Sequence, residues 1–311
     1  MKIAITGGTG FVGGHFAKQV LEDGHEVVLV SRTADREGLN DSGRVTRVSA
    51  DLSDVRVLTG AFAGCEAVAH CAGINREIGK QTFKRIHVQG TRNVVEAARQ
   101  AGVRRIALMS FLRARPNCGS PYHESKWAAE EIVRRSSLDY TIVKAGMVYG
   151  RGDHMLDHLS HAFYTLPILA TVLRQKLIRP LAIDDLVRLL EAALVDGRLP
   201  RKTIAITGAE ELYLREAARR VASVLGRRIW IFPAPVWFHQ MLAQIFELTM
   251  KVPLVAKAQV QILSQGVVEA SMACDPLPSD LVPIRYFTPE QIRGGLPEAG
   301  PFGVRDLRFC A

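Results

Sequence analysis

Short runs of β-branched and aliphatic residues alternate with stretches of helical period through the first half of the chain. KIAIT (2–6), EVVLVS (26–31), RVTRVSA (44–50), EAVAHCA (66–72), RIALMS (105–110) and DYTIVKAG (139–146) read as strands, RVTRVSA being the weakest. Between them HFAKQVLEDG, which stops at Gly24, RIHVQGTRNVVEAARQAG and the segment after Ser120 read as helices. Strands and helices in this order predict βαβ units, and hence an α/β fold built on a doubly wound parallel sheet. A strand KTIAITG and an amphipathic helix ELYLREAARRVASVLG extend the pattern, which is lost from about Arg228. The chain is therefore expected to divide into a domain over residues 1–228, with an excursion to the substrate side at about 151–180, and a smaller, mostly helical domain over 229–311 above a cleft.

The turn after the first strand, ITGGTGFVGG, sets Gly7, Gly10 and Gly13 in the pattern TGxxGxxG between a strand and a helix. Gly7 permits the tight turn, Gly10 lets backbone approach a pyrophosphate, and Gly13 lets the helix pack closely on the strand. Thr6, Phe11 and Val12 flank these positions, and the free N–H groups and dipole of the helix N-terminus favour phosphate there. The context makes this a dinucleotide site. Where an NAD-specific fold places a carboxylate, at the end of the second strand, the chain reads VVLVSRT, with Ser31 and Arg32. An arginine forks around a phosphate and a missing carboxylate removes its repulsion, so NADP(H) is preferred over NAD(H), with Arg36 able to serve as well as Arg32. Asp51 and Leu52 after the third strand are placed to meet the adenine, and Ala72 and Gly73 after the fourth to line the path of the cofactor.

The stretch SPYHESKWAAE (120–130) places Tyr122 and Lys126 one turn apart on one helix face, with Ser120 as cap and Pro121 as first residue. A neighbouring ammonium and the positive helix end both favour a phenolate, so Lys126 is expected to lower the pKa of Tyr122 from its ordinary value near 10. Lys126 would hold the nicotinamide ribose while Tyr122 exchanges a proton.

Together, TGGTGFVG, Asp51-Leu52, YHESK, VKAGMVYGRGD and the Ile183–Asp185 triplet resemble the short-chain dehydrogenase/reductase superfamily. The likeness is closest to its atypical branch, which includes the nucleotide-binding accessory subunit of respiratory complex I and bacterial relatives. It extends over nearly the whole chain, including TIAITGAEELYLREAARRVASVLGRR and the tail segment PLVAKAQVQILSQGVV. The resemblance implies a Rossmann fold, Tyr122 and Lys126 as catalytic pair, and a serine at the end of strand five that polarises the substrate carbonyl. Ser110 is the candidate, with Ser120 as substitute. The chain departs from the pattern twice: Phe111 follows Ser110 where a hydroxyl residue is common, and His87 stands in HVQGT where relatives carry asparagine. His87 either supports a proton relay or caps local backbone. The branch also holds members that keep the nucleotide after losing the catalytic set.

Composition narrows the remaining choices. The 311 residues are 48% hydrophobic and 23% charged, ordinary globular values, and carry a formal charge of +9. That charge favours acidic partners, but the basic residues lie in scattered pairs without interleaved aromatics, so nucleic acid is not expected. Cys65, Cys71, Cys118, Cys274 and Cys310 form no CxxC and read as reduced thiols; with no leader at the N-terminus, a cytoplasmic protein is expected. Ile229–Phe246 (IWIFPAPVWFHQMLAQIF) holds no charged residue; it reads as a packed apolar helix broken near its start by Pro233 and Pro235, or as a surface for a membrane's inner face or a protein partner. His154, Asp157, His158 and His161 have helical spacing but no evident third ligand, and no metal is expected; Asp184 and Asp185 read as a helix cap and first-turn acid. The expected activity is an oxidoreductase on a small hydrophobic carbonyl, alkene or quinone-like substrate. Its rival is an NADPH-binding structural or sensing subunit docked on a membrane-associated assembly; a nucleotide-sugar epimerase or dehydratase fits less well. Oligomeric state is not legible.

Overall fold

The computed structural model describes residues 1–32, 43–173, 177–250, 260, 268–298 and 300–302. Arg36 and most of the PLVAKAQVQILSQGVV segment lie outside the described residues.

Two compact units are built from interleaved pieces of chain. Unit 1 comprises Met1–Ala145, Ile183–Ile206 and Glu269–Val282; unit 2 comprises Gly146–Ala182, Thr207–Val268 and Pro283–Ala311. Unit 1 is the parallel sheet that the alternation predicts. Its strands are β1 (Lys2–Thr6), β2 (Glu26–Ser31), β3 (Val45–Ser49), β4 (Ala67–His70), β5 (Arg105–Phe111), β6 (Asp139–Ala145) and β11 (Lys202–Ile206). They lie in the order β11-β6-β5-β4-β1-β2-β3, every pair parallel. The order reverses between β1 and β4, the switch point at which such sheets bind ligands.

Helices α1 (Phe11–Glu22), α2 (Val55–Phe62), α3 (Gly90–Gln100), α4 (Pro121–Arg134) and α6 (Ile183–Leu194) flank this sheet. A π-helical turn, Lys84–Gln89, leads into α3. The core on one face joins Leu58, Phe62, Val94, Ala97, Ile106, Val133 and Ile142, each fully removed from water. Burying a side chain of this size contributes about 1.5–3 kcal/mol. Gly90 admits Leu52 into that layer: a Cβ at Gly90 would stand 2.8 Å from Leu52 Cδ1.

Unit 2 holds β7 (Val148–Tyr149), α5 (His154–Thr165), β8 (Ile168–Val172), β9 (Leu177–Ile178), β10 (Leu181–Ala182), β12 (Leu212–Tyr213), α7 (Leu214–Val224), β13 (Trp230–Ala234) and α8 (Val236–Thr249). Its core gathers Tyr149, Leu156, Phe163, Val221 and Phe287, with the Tyr149 and Phe287 rings edge to face at 4.8 Å. The apolar run expected as one helix is a strand and a helix. Residues 230–234 pair in parallel with β8, and α8 starts after Pro235, where a proline is tolerated outside the helix. Among the described residues no helix is long and apolar enough to cross a membrane.

Candidate active site

The site grows from the turn after β1. Gly7 has φ +70, and a Cβ there would lie 2.8 Å from Ala72 Cα, so only glycine fits between the ends of β1 and β4. A Cβ at Gly13 would stand 2.4 Å from the Gly7 carbonyl oxygen, which is the close helix–turn contact that the spacing predicts. Gly10 precedes α1, its N–H donates to Gly7 O at 2.9 Å, and its own carbonyl accepts from Gly14 N–H at 2.8 Å. The N–H groups of Phe11, Val12 and Gly13 therefore open the helix without intrahelical acceptors, and no acidic residue sits in the first turn. Free N–H donors and a first turn without acidic residues are the polarity that a pyrophosphate requires.

The other expected cofactor positions rim the same edge. Ser31 ends β2 beside Ser49, and Arg32 follows, exposed, with its carbonyl accepting from Ser49 Oγ at 3.2 Å. Asp51 accepts from Ser53 N–H at 2.9 Å and pairs with Arg85 at 3.4 Å. Its slight burial opposes ionisation, but the Ser53 and Arg85 contacts win and hold the carboxyl below its ordinary value. The Leu52 carbonyl accepts from Asn93 Nδ2 at 2.7 Å, fixing that turn on α3.

Tyr122 and Lys126 stand in the first two turns of α4, as expected. Lys126 Nζ donates to Met109 O at 3.1 Å, which leaves two of its three N–H donors for a ligand. A Cβ on Gly73 would lie 3.2 Å from Nζ, so Gly73 keeps that approach open. Burial lowers the Lys126 pKa to about 8, with Cys71 and Glu130 resisting the fall. The Tyr122 ring is enclosed by Phe83 at 5.6 Å, Phe111 at 5.5 Å, His87 at 5.8 Å and His123 at 5.8 Å between centroids. Here the expectation is corrected. Burial pushes the phenol above its ordinary value of 10.0, and the ammonium does not offset it. Tyr122 is thus held as a phenol, not as a ready phenolate.

His87 resolves into the capping role. Its Nε2 accepts from Ile74 N–H at 3.1 Å, so the proton is on Nδ1, which donates to Ser125 Oγ at 2.8 Å. Ser125 in turn donates to the Tyr122 carbonyl at 2.8 Å. Burial, then the Lys126 charge, drive the His87 pKa far down, consistent with a neutral ring whose nitrogens are both engaged. Ser110 is drawn elsewhere: it is buried, and its hydroxyl donates to Glu130 Oε1 at 2.5 Å. Lys144 Nζ meets the same oxygen at 2.7 Å, and Arg134 binds the other at 2.7 Å. Ser120 is buried and gives α4 no side-chain cap. Phe111, in the position of the second hydroxyl, stacks on His123 at 5.2 Å.

Sequence reasoning missed the buried Glu130–Lys144 pair, Ser125 beside His87, and also His70. Thr6 Oγ1 lies 2.6 Å from His70 Nδ1, and His70 Nε2 lies 3.1 Å from Thr91 Oγ1. A histidine inside the otherwise apolar strand AVAH was the one available signal. His154 and His158 approach at 5.7 Å between rings, but among the described residues no group of three ligands could hold a metal. Asp184 and Asp185 fall in the first turn of α6, where buried Asp185 pairs with Arg188 at 3.5 Å.

Residues 7–156 match the family model for NAD(P)H-binding proteins. This part of the chain is an NAD(P)H-binding domain. The resemblance to the atypical short-chain dehydrogenases/reductases holds in the curated relatives. The chain is 38% identical to the ceramide reductase of Caulobacter vibrioides over 49% of this chain and 47% of that protein. It is 23% identical to mouse mitochondrial NADH dehydrogenase [ubiquinone] 1 alpha subcomplex subunit 9, over 83% of this chain and 70% of the relative. Uncharacterized mycobacterial proteins match at 27% identity over 76% of this chain, which spans only 24% of their length; it spans about half of the ceramide reductase. Among solved structures, MoeE5 in complex with UDP-glucose and NAD superposes with a TM-score of 0.67 at 19% identity, covering 94% of this chain and 97% of that one. That likeness concerns the fold.

Proposed function

We propose that the NAD(P)H-binding domain belongs to a reductase that uses NADPH to reduce the carbonyl of a hydrophobic substrate, with Tyr122 as the proton donor and Lys126 as the residue that holds the nicotinamide ribose. The observation that carries this reading is the placement of Tyr122: ringed by Phe83, Phe111, His87 and His123, it stands one helical turn from a lysine with two donors to spare. The bound dinucleotide supplies the hydride. Tyr122 gives its phenolic proton to the carbonyl oxygen as the carbon is reduced, so that carbonyl and hydride become an alcohol, and solvent returns the proton to Tyr122. Arg32, exposed at the end of β2 with no carboxylate beside it in the sequence, supports NADP(H) over NAD(H). The aromatic ring of neighbours favours an apolar substrate, and the name of the Caulobacter relative agrees with a lipid-like one.

One observation favours the rival, a nucleotide-binding subunit without turnover. The Ser110 hydroxyl, which would polarise the carbonyl, donates to Glu130 instead. The two readings part in one experiment. The protein is incubated with NADPH deuterated at the transferable position and a deproteinised cell extract, beside Tyr122→Phe. Deuterium in a metabolite with the wild type alone supports the reductase. No transfer by a protein that still binds NADPH sinks it and leaves the binding subunit.

A further inference from the structure

Helix α8 turns its greasy side outward. At about 100° per residue, Trp237, Leu248, Met241 and Ile245 fall within an arc of about 80°. They are 64%, 58%, 45% and 45% exposed. The only other exposed residues of the helix are the uncharged Gln240 and Gln244, whereas His239 and Ala243 on the opposite side are buried. An ordinary surface helix shows the reverse arrangement. The strand before α8 continues the pattern. Trp230 is 70% exposed and pairs with Ile168 (44% exposed) on β8, which begins two residues after Leu166 (56% exposed). Scattered surface hydrophobics need no explanation, but an uncharged helix face of four large ones with a second exposed tryptophan nearby in the chain does.

The charge of the same unit says what would meet this face. Unit 2 carries fifteen lysines and arginines against nine aspartates and glutamates, so that +6 of the chain's +9 resides in the smaller unit. Arg227 and Arg228, both exposed, stand directly before Ile229 and Trp230, and the Arg227 guanidinium covers the Tyr164 ring at 4.9 Å. Apolar side chains and tryptophans set beside arginines, in a unit of net positive charge, are what an anionic lipid surface binds: headgroups take the arginines, and the indoles sit at the boundary between headgroups and acyl chains. We propose that unit 2 docks on an anionic bilayer, with Trp237, Met241, Ile245 and Leu248 of α8 and Trp230 of β13 entering the interface and Arg227 and Arg228 pairing with phosphate headgroups. The docking does not rest on the reductase reading, because every residue it uses lies outside the NAD(P)H cradle.

The test uses the full chain with phosphatidylcholine vesicles, with or without phosphatidylglycerol, and brominated acyl chains as tryptophan quenchers. Expected is sedimentation with the anionic vesicles only, release by high salt, and quenching that persists in Trp127→Phe, which removes the one tryptophan outside the patch. Met241→Glu with Leu248→Glu, two exposed positions that leave the core untouched, is expected to weaken partitioning at least about tenfold. NADPH binding and the circular dichroism spectrum should not change. Four results overturn the proposal: no binding to anionic vesicles, equal binding to neutral ones, unchanged binding by the double variant, or a concentration-dependent dimer that this variant dissolves while vesicles never bind. The last would make the face a contact between two copies of the chain.

Discussion

Lys144 and Glu130 are both fully removed from water, and their Nζ and Oε1 atoms meet at 2.7 Å. The carboxylate has two other supports, Ser110 Oγ at 2.5 Å and Arg134 at 2.7 Å, and the ammonium has one, Ala114 O at 3.0 Å. Lys144→Met keeps most of the side-chain volume but leaves Glu130 with less compensation and Ala114 O without its donor. Breaking a buried pair from one side costs about 3–5 kcal/mol, because the surviving charge stays desolvated. At about 2–4 °C per kcal/mol for a domain of this size, the variant should melt roughly 6–20 °C lower by calorimetry. Glu130→Leu, stranding the ammonium instead, should cost about as much. The decisive measurement is the double variant, Lys144→Met with Glu130→Leu. It buries no uncompensated charge, Arg134 keeps Glu131 at 2.5 Å, and the remaining losses are the acceptor of Ser110 and the donor to Ala114 O, together about 1–3 kcal/mol. The double variant should therefore be more stable than either single one. If its cost instead equals the sum of the two, or if Lys144→Met costs under about 1 kcal/mol, the pair is not the coupled, dehydrated unit described here.

Three further outcomes are expected. Gly13→Ala drives a methyl into the Gly7 carbonyl, so it should cost about 1–3 kcal/mol and weaken NADPH binding about tenfold or more in calorimetric titration. Lys126 loses its proton near pH 8, well below its ordinary 10.5, so NADPH affinity should fall about fivefold as pH rises through 8, and Lys126→Met should be flat across that range. Glu191, half-buried and hydrogen-bonded to Asp23 near Asp196, has its pKa raised by burial and these acids from 4.5 to about 7. The unfolded chain ionises first, so stability falls as pH rises from about 4.5 to 7 and stays low above it. Discounted for solvent screening, Glu191→Gln should gain about 1 kcal/mol at pH 8 and nothing at pH 4 in urea unfolding.

The sheet was legible because burial on both faces leaves strands as unbroken aliphatic runs, and the phosphate turn because Gly7 and Gly13 occupy places where a Cβ has no room. Tyr122 and Lys126 could be placed on one helix face by spacing alone. Their titration could not, since it depends on Phe83, which lies 39 positions earlier in the chain, and on the depth of burial, neither of which a local pattern reports. The Glu130–Lys144 pair was hidden for a like reason: a glutamate on a helix and a lysine in a strand each read as solvated until the fold brings them together. The strand at Trp230 escaped notice because its partner, β8, lies more than fifty residues away and the prolines pointed only to a broken helix.

The hydrogen bonds beneath the site have a fixed direction, and that ties the two legible motifs together. Thr91 has one hydroxyl proton and gives it to the His87 carbonyl at 2.5 Å, so it accepts from His70 Nε2–H, and His70 Nδ1 must accept from Thr6 at the head of the phosphate turn. From the His87 ring the second line runs through Ser125 to the Tyr122 carbonyl, starting at the Ile74 N–H. Each histidine has one nitrogen that must accept, so a second proton on either would set two donors against each other. Burial opposes that proton, pulling His70 down to about 3, and the Lys126 charge opposes it further. His87 is thus the joint, through its carbonyl and its ring, between the head of the phosphate turn, the loop after β4 and the first turn of α4. In this chain the ring of His87 is a direct strut from the Ile74 N–H to Ser125, and Ser125 carries it on to the Tyr122 carbonyl.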